Sequence, residues 1–97
     1  MVKHIVTFRL IGSAEQRLSV ARQFKAALEA LPAQIPELLA IEVGINANPA
    51  EQWDVVLTAT LAEMSHVAVY AAHPAHVAAA GLLAGHKADR ACVDYEV

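Results

Sequence analysis

The sequence predicts an α+β fold with one antiparallel sheet of four strands. Three observations predict it. Apolar and polar residues alternate in four short segments, which is the period of a strand, and apolar residues recur at steps of three or four in two longer segments, which is the period of a helix. The segments follow one another in the order strand, helix, strand, strand, helix, strand.

The first strand spans residues 2–10 and is followed by a helix. Its two faces carry Val2, His4, Val6, Phe8 and Leu10 on one side and Lys3, Ile5, Thr7 and Arg9 on the other. Gly12 ends the strand, and Ser13 with Gln16 three residues later forms a capping box that starts the helix. The apolar side of the helix consists of Leu18, Ala21, Phe24, Leu28 and Leu31. We expect its other side, with Arg22, Lys25 and Glu29, to be solvated.

The second and third strands form a predicted hairpin. The second strand starts at Leu39, with apolar residues at the odd positions Leu39, Ile41, Val43 and Ile45. The third runs from about Gln52 to Leu61, with Trp53, Val55, Leu57, Ala59 and Leu61 on one face. Because the connection is short, we expect these two strands to pair in antiparallel fashion.

A second helix begins near Met64 or Ser65 and continues toward Gly85, which can serve as its stop signal. Proline in a helix interior removes a hydrogen bond and clashes with the preceding turn, so Pro74 predicts an interruption at His73-Pro74. The fourth strand ends the sequence, where Ala91, Val93, Tyr95 and Val97 alternate with Cys92, Asp94 and Glu96.

This order of elements is that of the ferredoxin-like fold, βαββαβ, in which both helices cover one face of the sheet. The other face then remains uncovered. It is predicted to carry Ile5, Thr7, Val56, Thr58 and Thr60, which is too apolar a set to remain wet. Packing two such faces together makes a dimeric α/β barrel, so we predict a homodimer.

Composition limits the class of protein. The 97 residues, of which 57% are hydrophobic, are enough for a single domain over residues 1–97. The net charge of −3 and the absence of a basic cluster argue against a nucleic-acid partner. No apolar run approaches the length of a membrane span, and no charged-then-apolar leader is visible, so we expect a cytoplasmic protein without a membrane partner. Cys92, the single cysteine, is interpreted as a small apolar residue of the last strand.

The segment Tyr70-Ala71-Ala72-His73-Pro74-Ala75-His76 gathers a phenol and two imidazoles around one proline. Side chains at these spacings can lie along one curved helical face. The segment is therefore the main candidate for a functional site, although its residue types alone do not specify a reaction.

Four stretches of the chain resemble the stress-responsive dimeric α/β barrel family, abbreviated Dabb. They are the strand from Val2 to Phe8, the passage from Ile35-Pro36 to Val43-Gly44, the Tyr-x-x-His-Pro-x-His segment from Tyr70 to His76, and Val93-Asp94-Tyr95. The resemblance implies a homodimer with a small-molecule cavity between sheet and helices in each subunit. The family includes plant polyketide cyclases that catalyse aldol condensation without a cofactor, plant stress proteins, and many bacterial chains without an assigned role.

In the cyclase-like members, the residues that match Tyr70 and His76 are the catalytic pair, and the residue that matches His4 lines the same cavity. By this resemblance, His76 is the expected acid or base and Tyr70 stabilises the oxygen that gains negative charge, with His4 in support. Some cyclases carry a further histidine where this chain has Val55, and a tyrosine near Leu28, so a different substrate is expected.

Three functions remain open at this point: a protein that binds a small apolar or aromatic molecule, a cofactor-independent cyclase or lyase, and a structural stress-protective oligomer without a ligand. His73 is expected to brace the helix break, and His66 and His86 to be exposed. No cofactor is predicted, because the glycines form no phosphate loop. No metal site is predicted at His73 and His76, because no carboxylate lies at a ligand-like spacing. An open pocket at Tyr70 and His76 would favour ligand binding, whereas Phe8, Phe24 and Trp53 packed across it would favour the structural role.

Overall fold

Four antiparallel strands form one sheet in the computed structural model of the chain, which describes residues 1–97. The strands are β1 (Val2–Leu10), β2 (Leu38–Ile45), β3 (Val55–Leu61) and β4 (Lys87–Glu96), and the helices are α1 (Ala14–Glu29), α2 (Ser65–Ala72) and α3 (Pro74–Ala80). The strand order across the sheet is β2-β3-β1-β4, with every neighbouring pair antiparallel. The predicted ferredoxin-like fold and the predicted hairpin of β2 with β3 are confirmed.

The sheet has one covered and one uncovered face. Along β1 and β3, buried residues alternate strictly with half-buried ones. The buried set, including Val6, Leu57 and Ala59, joins Phe24 and Leu28 of α1 in the hydrophobic core. The half-buried set defines what we call the uncovered face: Ile5, Thr7, Val56, Thr58 and Thr60. Val93 of β4 pairs with Ile5 and Tyr95 with Lys3, so β4 adds its apolar residues to this face.

Helix α1 begins with the predicted capping box, in which Ser13 accepts from the Gln16 backbone and Gln16 accepts from the Ser13 backbone. One expectation for this helix is wrong. Leu18 is 38% exposed, because it precedes the part of the helix that packs on the sheet. The side chains of Lys25 and Glu29 are exposed, as expected, but they also contact β2: Lys25 Nζ donates to the carbonyl of Val43, and Glu29 accepts from the Val43 N–H at 3.2 Å. These two side chains therefore satisfy the backbone N–H and carbonyl of Val43 at the free edge of β2.

The predicted bounds of three strands differ from the observed ones. A register shift between Leu38 and Ala40 turns Leu38 into the core and leaves Leu39 49% exposed, so Leu39 does not share a face with Val43. Strand β3 begins at Val55, after the partly exposed Trp53. Strand β4 begins at Lys87, before the predicted Ala91, because β1 offers it pairing partners as far as Leu10.

Membrane insertion through a helix has no support in this fold, since none of its helices combines the length and the apolar character that a crossing requires.

Candidate functional site

A break between α2 and α3 organises the site. His73 has extended backbone angles, φ −62° and ψ 134°, and Pro74 starts α3 directly after it. The Nδ1 atom of His73 accepts a hydrogen bond from the backbone N–H of Ala75 at 3.0 Å, so His73 caps α3. The predicted interruption and the bracing role of His73 are both confirmed. The chain changes direction at this break, and the ring of His76 lies against that of Tyr70.

Tyr70 lies at the centre of the site and is fully buried. Its hydroxyl has no hydrogen-bond partner in the folded chain. Burial disfavours the phenolate and raises the pKa of Tyr70 to about 12, so the side chain remains a neutral donor at physiological pH. A buried hydroxyl of this kind can donate to an oxygen that is brought next to it.

His76 is half-buried, and its ring centroid lies 4.5 Å from that of Tyr70. Its Nδ1 lies 2.9 Å from the carbonyl oxygen of Ala71, which can only accept, so Nδ1 carries a proton. In the neutral ring, Nε2 then holds the lone pair. Burial lowers the pKa of His76, and the nearby His4 lowers it further, although the bond to Ala71 acts in the opposite direction. His76 is therefore a neutral imidazole at pH 7 and can accept a proton at Nε2.

His4 lies on the covered face of β1, where it is 8% exposed and packs edge-on against Tyr70 with 5.9 Å between ring centroids. Asp94 lies directly opposite it on β4, and His4 Nδ1 donates to the Asp94 carboxylate. This bond fixes the ring orientation, and in the neutral form of the ring it places the lone pair on Nε2. The structure thus brings together His4, Tyr70 and His76, the three residues predicted from the sequence.

Asp94 and Cys92 belong to the same site but were not predicted to. Cys92 Sγ lies 3.6 Å from His4 Nδ1 and 3.7 Å from an Asp94 carboxylate oxygen. Burial and the Asp94 charge raise the pKa of the Cys92 thiol, so it remains protonated. The sequence signal was the alternation in β4, which places Cys92 and Asp94 on one face. Which face it is depends on the register with β1.

Three side chains of the site lie close enough together to hold a metal ion. One potential ligand atom from each of His4, Cys92 and Asp94 lies within 4.8 Å of the others. His73 and His76, the pair considered from the sequence, instead commit their Nδ1 atoms to the backbone of Ala75 and Ala71.

Three surface clefts lie away from the site, and none of them is lined by His4, Tyr70 or His76. Phe8 and Phe24 pack edge to face at 5.6 Å between centroids, as the structural role would require, but Trp53 stays partly exposed. Phe8 and His4 are four residues apart on one strand, or about 13 Å at ~3.3 Å per residue, so the aromatic pair fills a different part of the interior.

His66 and His86, the two histidines outside the site, differ in exposure. His86 is exposed, as expected. His66 is only 31% exposed at its side chain and pairs with Glu63 at 3.2 Å, so the expectation of an exposed His66 is wrong.

The fold is the ferredoxin-like fold, which the comparisons with known proteins also find. The model of the family Dabb, Stress responsive A/B Barrel Domain, matches residues 2–97, and the chain belongs to this family. No curated protein matches the sequence.

Solved structures extend the comparison. A dimeric protein of unknown function with a ferredoxin-like fold from Bacteroides fragilis is 49% identical, with a TM-score of 0.96 over 99% of this chain and 95% of that one. A dimeric ferredoxin-like protein of unknown function from Thermobifida fusca is 31% identical, with a TM-score of 0.82 over 99% and 90%. An antibiotic biosynthesis monooxygenase is 15% identical, with a TM-score of 0.77 over 100% and 98%, and shares the fold alone.

Replacing Tyr70 by Phe should stabilise the protein. The substitution keeps the ring and removes a buried hydroxyl without a partner, whose desolvation costs about 1–3 kcal/mol. We expect the free energy of unfolding in urea, measured at fixed chain concentration, to rise by about 1 kcal/mol. A loss of stability in Tyr70→Phe would contradict the assignment.

Proposed function

We propose that this Dabb protein is a cytoplasmic homodimer in which each subunit binds one small apolar or aromatic molecule that presents an oxygen to Tyr70. The single observation that carries the proposal is the buried, unpartnered hydroxyl of Tyr70, surrounded by apolar core residues and two imidazoles. A ligand oxygen that accepts from this hydroxyl removes the cost of leaving it unpaired.

The uncovered face supports the homodimer. Val93 is 61% exposed and Tyr95 44% exposed in the single chain, beside the half-buried Ile5 and Val56. Burying this surface against a second copy is favourable in proportion to the apolar area removed from water. The Bacteroides fragilis and Thermobifida fusca relatives are both described as dimeric. We therefore propose that two copies pair through this face.

A charge on the uncovered face should separate the dimer. Val93→Asp places one carboxylate per chain in the proposed interface, where the desolvation of each ion costs several kcal/mol. We expect light scattering coupled to size exclusion to give the mass of a single chain. Val69→Asp, at a 45% exposed position of α2, introduces the same charge elsewhere and should leave the dimer intact. A dimeric Val93→Asp variant would contradict pairing through the uncovered face.

Ligand binding requires local movement, because Tyr70 is fully buried and the described clefts do not reach it. The elements that cover it are short: α2 has 8 residues and α3 has 7, with an extended residue between them. Short helices joined at a break can shift without disturbing the sheet. We propose that α3 moves at His73 to admit the ligand between itself and β1.

A pair of matched probes tests this site. Acetophenone has an apolar ring and a carbonyl acceptor, whereas ethylbenzene lacks the carbonyl. We expect acetophenone to shift the backbone amide resonances of α2, α3 and β1 in a titration followed by NMR, and to bind more tightly than ethylbenzene. Tyr70→Phe should abolish the difference between the two probes. If neither probe shifts these resonances, the structural role without a ligand replaces this proposal.

The second candidate function is cofactor-independent proton transfer on a carbonyl compound. It is favoured by the state of His76, a neutral imidazole whose Nε2 holds a lone pair next to Tyr70. In this mechanism His76 removes a proton from the carbon next to the carbonyl, and Tyr70 donates to the oxygen that becomes negative. His4, oriented by Asp94, holds the substrate in place. The resemblance of the Tyr70–His76 segment to plant polyketide cyclases supports this candidate.

Hydrogen exchange on a ketone tests the chemistry without knowledge of the natural substrate. In D₂O, we expect the protein to accelerate exchange of the acetophenone methyl protons, and His76→Ala to reduce the acceleration by about 10²-fold. The pKa of His76 lies below its ordinary value of 6.5. Protonation removes the base, so the rate should hold at neutral pH and fall only as the pH drops through that lowered pKa.

His86→Ala, at an exposed histidine outside the site, is the control and should retain the rate. Equal exchange rates with the unaltered protein and with folded His76→Ala would rule out His76 as the base.

A further inference from the structure

We infer that His4, Cys92 and Asp94 form a zinc site, with one Zn²⁺ bound per chain through an imidazole nitrogen, a thiolate and a carboxylate oxygen. This inference does not rest on the proposed ligand or on the proposed proton transfer, because the metal would bind Nδ1 of His4 and not Nε2. It rests on the placement of the three residues, on their distances and on their chemistry.

The sheet fixes the placement. Cys92 and Asp94 are two residues apart on β4, so both side chains point to the covered face. His4 lies directly opposite Asp94, and Val6 opposite Cys92, on the neighbouring β1. Directly opposed residues of an antiparallel pair have Cβ atoms about 4.5–5.5 Å apart. The three side chains therefore converge from two hydrogen-bonded strands, and not from a mobile loop.

Two of the three distances between potential ligand atoms are those of a tetrahedral site. Zinc bonds of about 2.0–2.3 Å at tetrahedral angles place neighbouring ligand atoms about 3.5 Å apart. Cys92 Sγ lies 3.6 Å from His4 Nδ1 and 3.7 Å from the Asp94 oxygen. The third pair, His4 Nδ1 and the Asp94 oxygen, is in hydrogen-bond contact and must open. The Asp94 side chain is 25% exposed, so it has room to rotate outward.

The ligand types favour zinc over the common hard cations. Thiolate and imidazole are ligands of Zn²⁺, whereas Mg²⁺ and Ca²⁺ take oxygen ligands almost exclusively. Three protein ligands leave a fourth position for water.

Zinc binding moves one proton and releases another. The Cys92 thiol loses its proton to solvent as the Zn–S bond forms, and the His4 proton moves from Nδ1 to Nε2 as Nδ1 binds the metal. One proton is thus released per zinc, and Nε2 of His4 changes from an acceptor to a donor.

Cobalt provides a direct test, because Co²⁺ takes the place of zinc and absorbs light. We expect reduced, metal-free protein to bind one Co²⁺ per chain, with visible bands of tetrahedral intensity and a near-ultraviolet band from thiolate-to-cobalt charge transfer. Cys92→Ser should lose the charge-transfer band, and His4→Ala should weaken binding. His86→Ala removes an exposed histidine outside the cluster and should bind as the unaltered chain does.

Calorimetry with Zn²⁺ provides the second measurement. Titrations in buffers of different ionisation enthalpy should show one proton released per zinc bound, and Zn²⁺ should displace the bound Co²⁺. Absence of the charge-transfer band in the reduced, folded chain would overturn the inference. A band of equal strength in Cys92→Ser would do so too, since the metal would then lie elsewhere.

Discussion

The pairing of β1 with β3 and β4 is the constraint on which the rest of the structure depends. Strand β1 is central, and its alternate residues face either the core or the uncovered face. A shift of one residue in its pairing would exchange the two sets, placing Ile5 inside and His4 outside. The contacts of His4 with Asp94, Cys92 and Tyr70 all require the observed register. Sheet register is therefore what assembles a polar cluster inside an apolar layer.

The hydrophobic core offsets the free energy that is lost by burying the polar side chains of the site. Tyr70 belongs to a cluster of 17 buried residues, although its hydroxyl is unpaired. Folded proteins are stable by only about 5–15 kcal/mol, so a cost of about 1–3 kcal/mol at one hydroxyl is a considerable fraction. Buried polar groups without partners are uncommon, and a catalytic role or a bound molecule is among the explanations for one that persists. The break at His73 has a different effect, because its cap satisfies the backbone of α3 while the chain changes direction.

The sequence predicted the parts of the fold that depend on local pattern. The order of elements, the capping box at Ser13 and the interruption at His73-Pro74 are confirmed, and the segment from Tyr70 to His76 does supply two rings in contact. The pairing between strands that are distant in the sequence could not be predicted from local pattern. The shift next to Leu39 depends on how β2 meets β3, and the partnership of Asp94 with His4 joins residues at opposite ends of the chain. The functional roles of His4, Tyr70 and His76 remain predictions, since the geometry allows them without testing them.

The hydrogen bonds from Lys25 and Glu29 of α1 to Val43 affect how further chains can associate with the sheet. Because Lys25 and Glu29 occupy the carbonyl and the N–H of Val43, another strand cannot extend the sheet there without displacing them. The opposite edge strand, β4, carries charged side chains at Lys87, Asp89 and Arg90, and charges on an edge strand discourage edge-to-edge stacking into fibres. Extension of the sheet is thereby disfavoured at Val43 and along the first part of β4, which agrees with the proposed closed pair of chains and not with an open-ended filament.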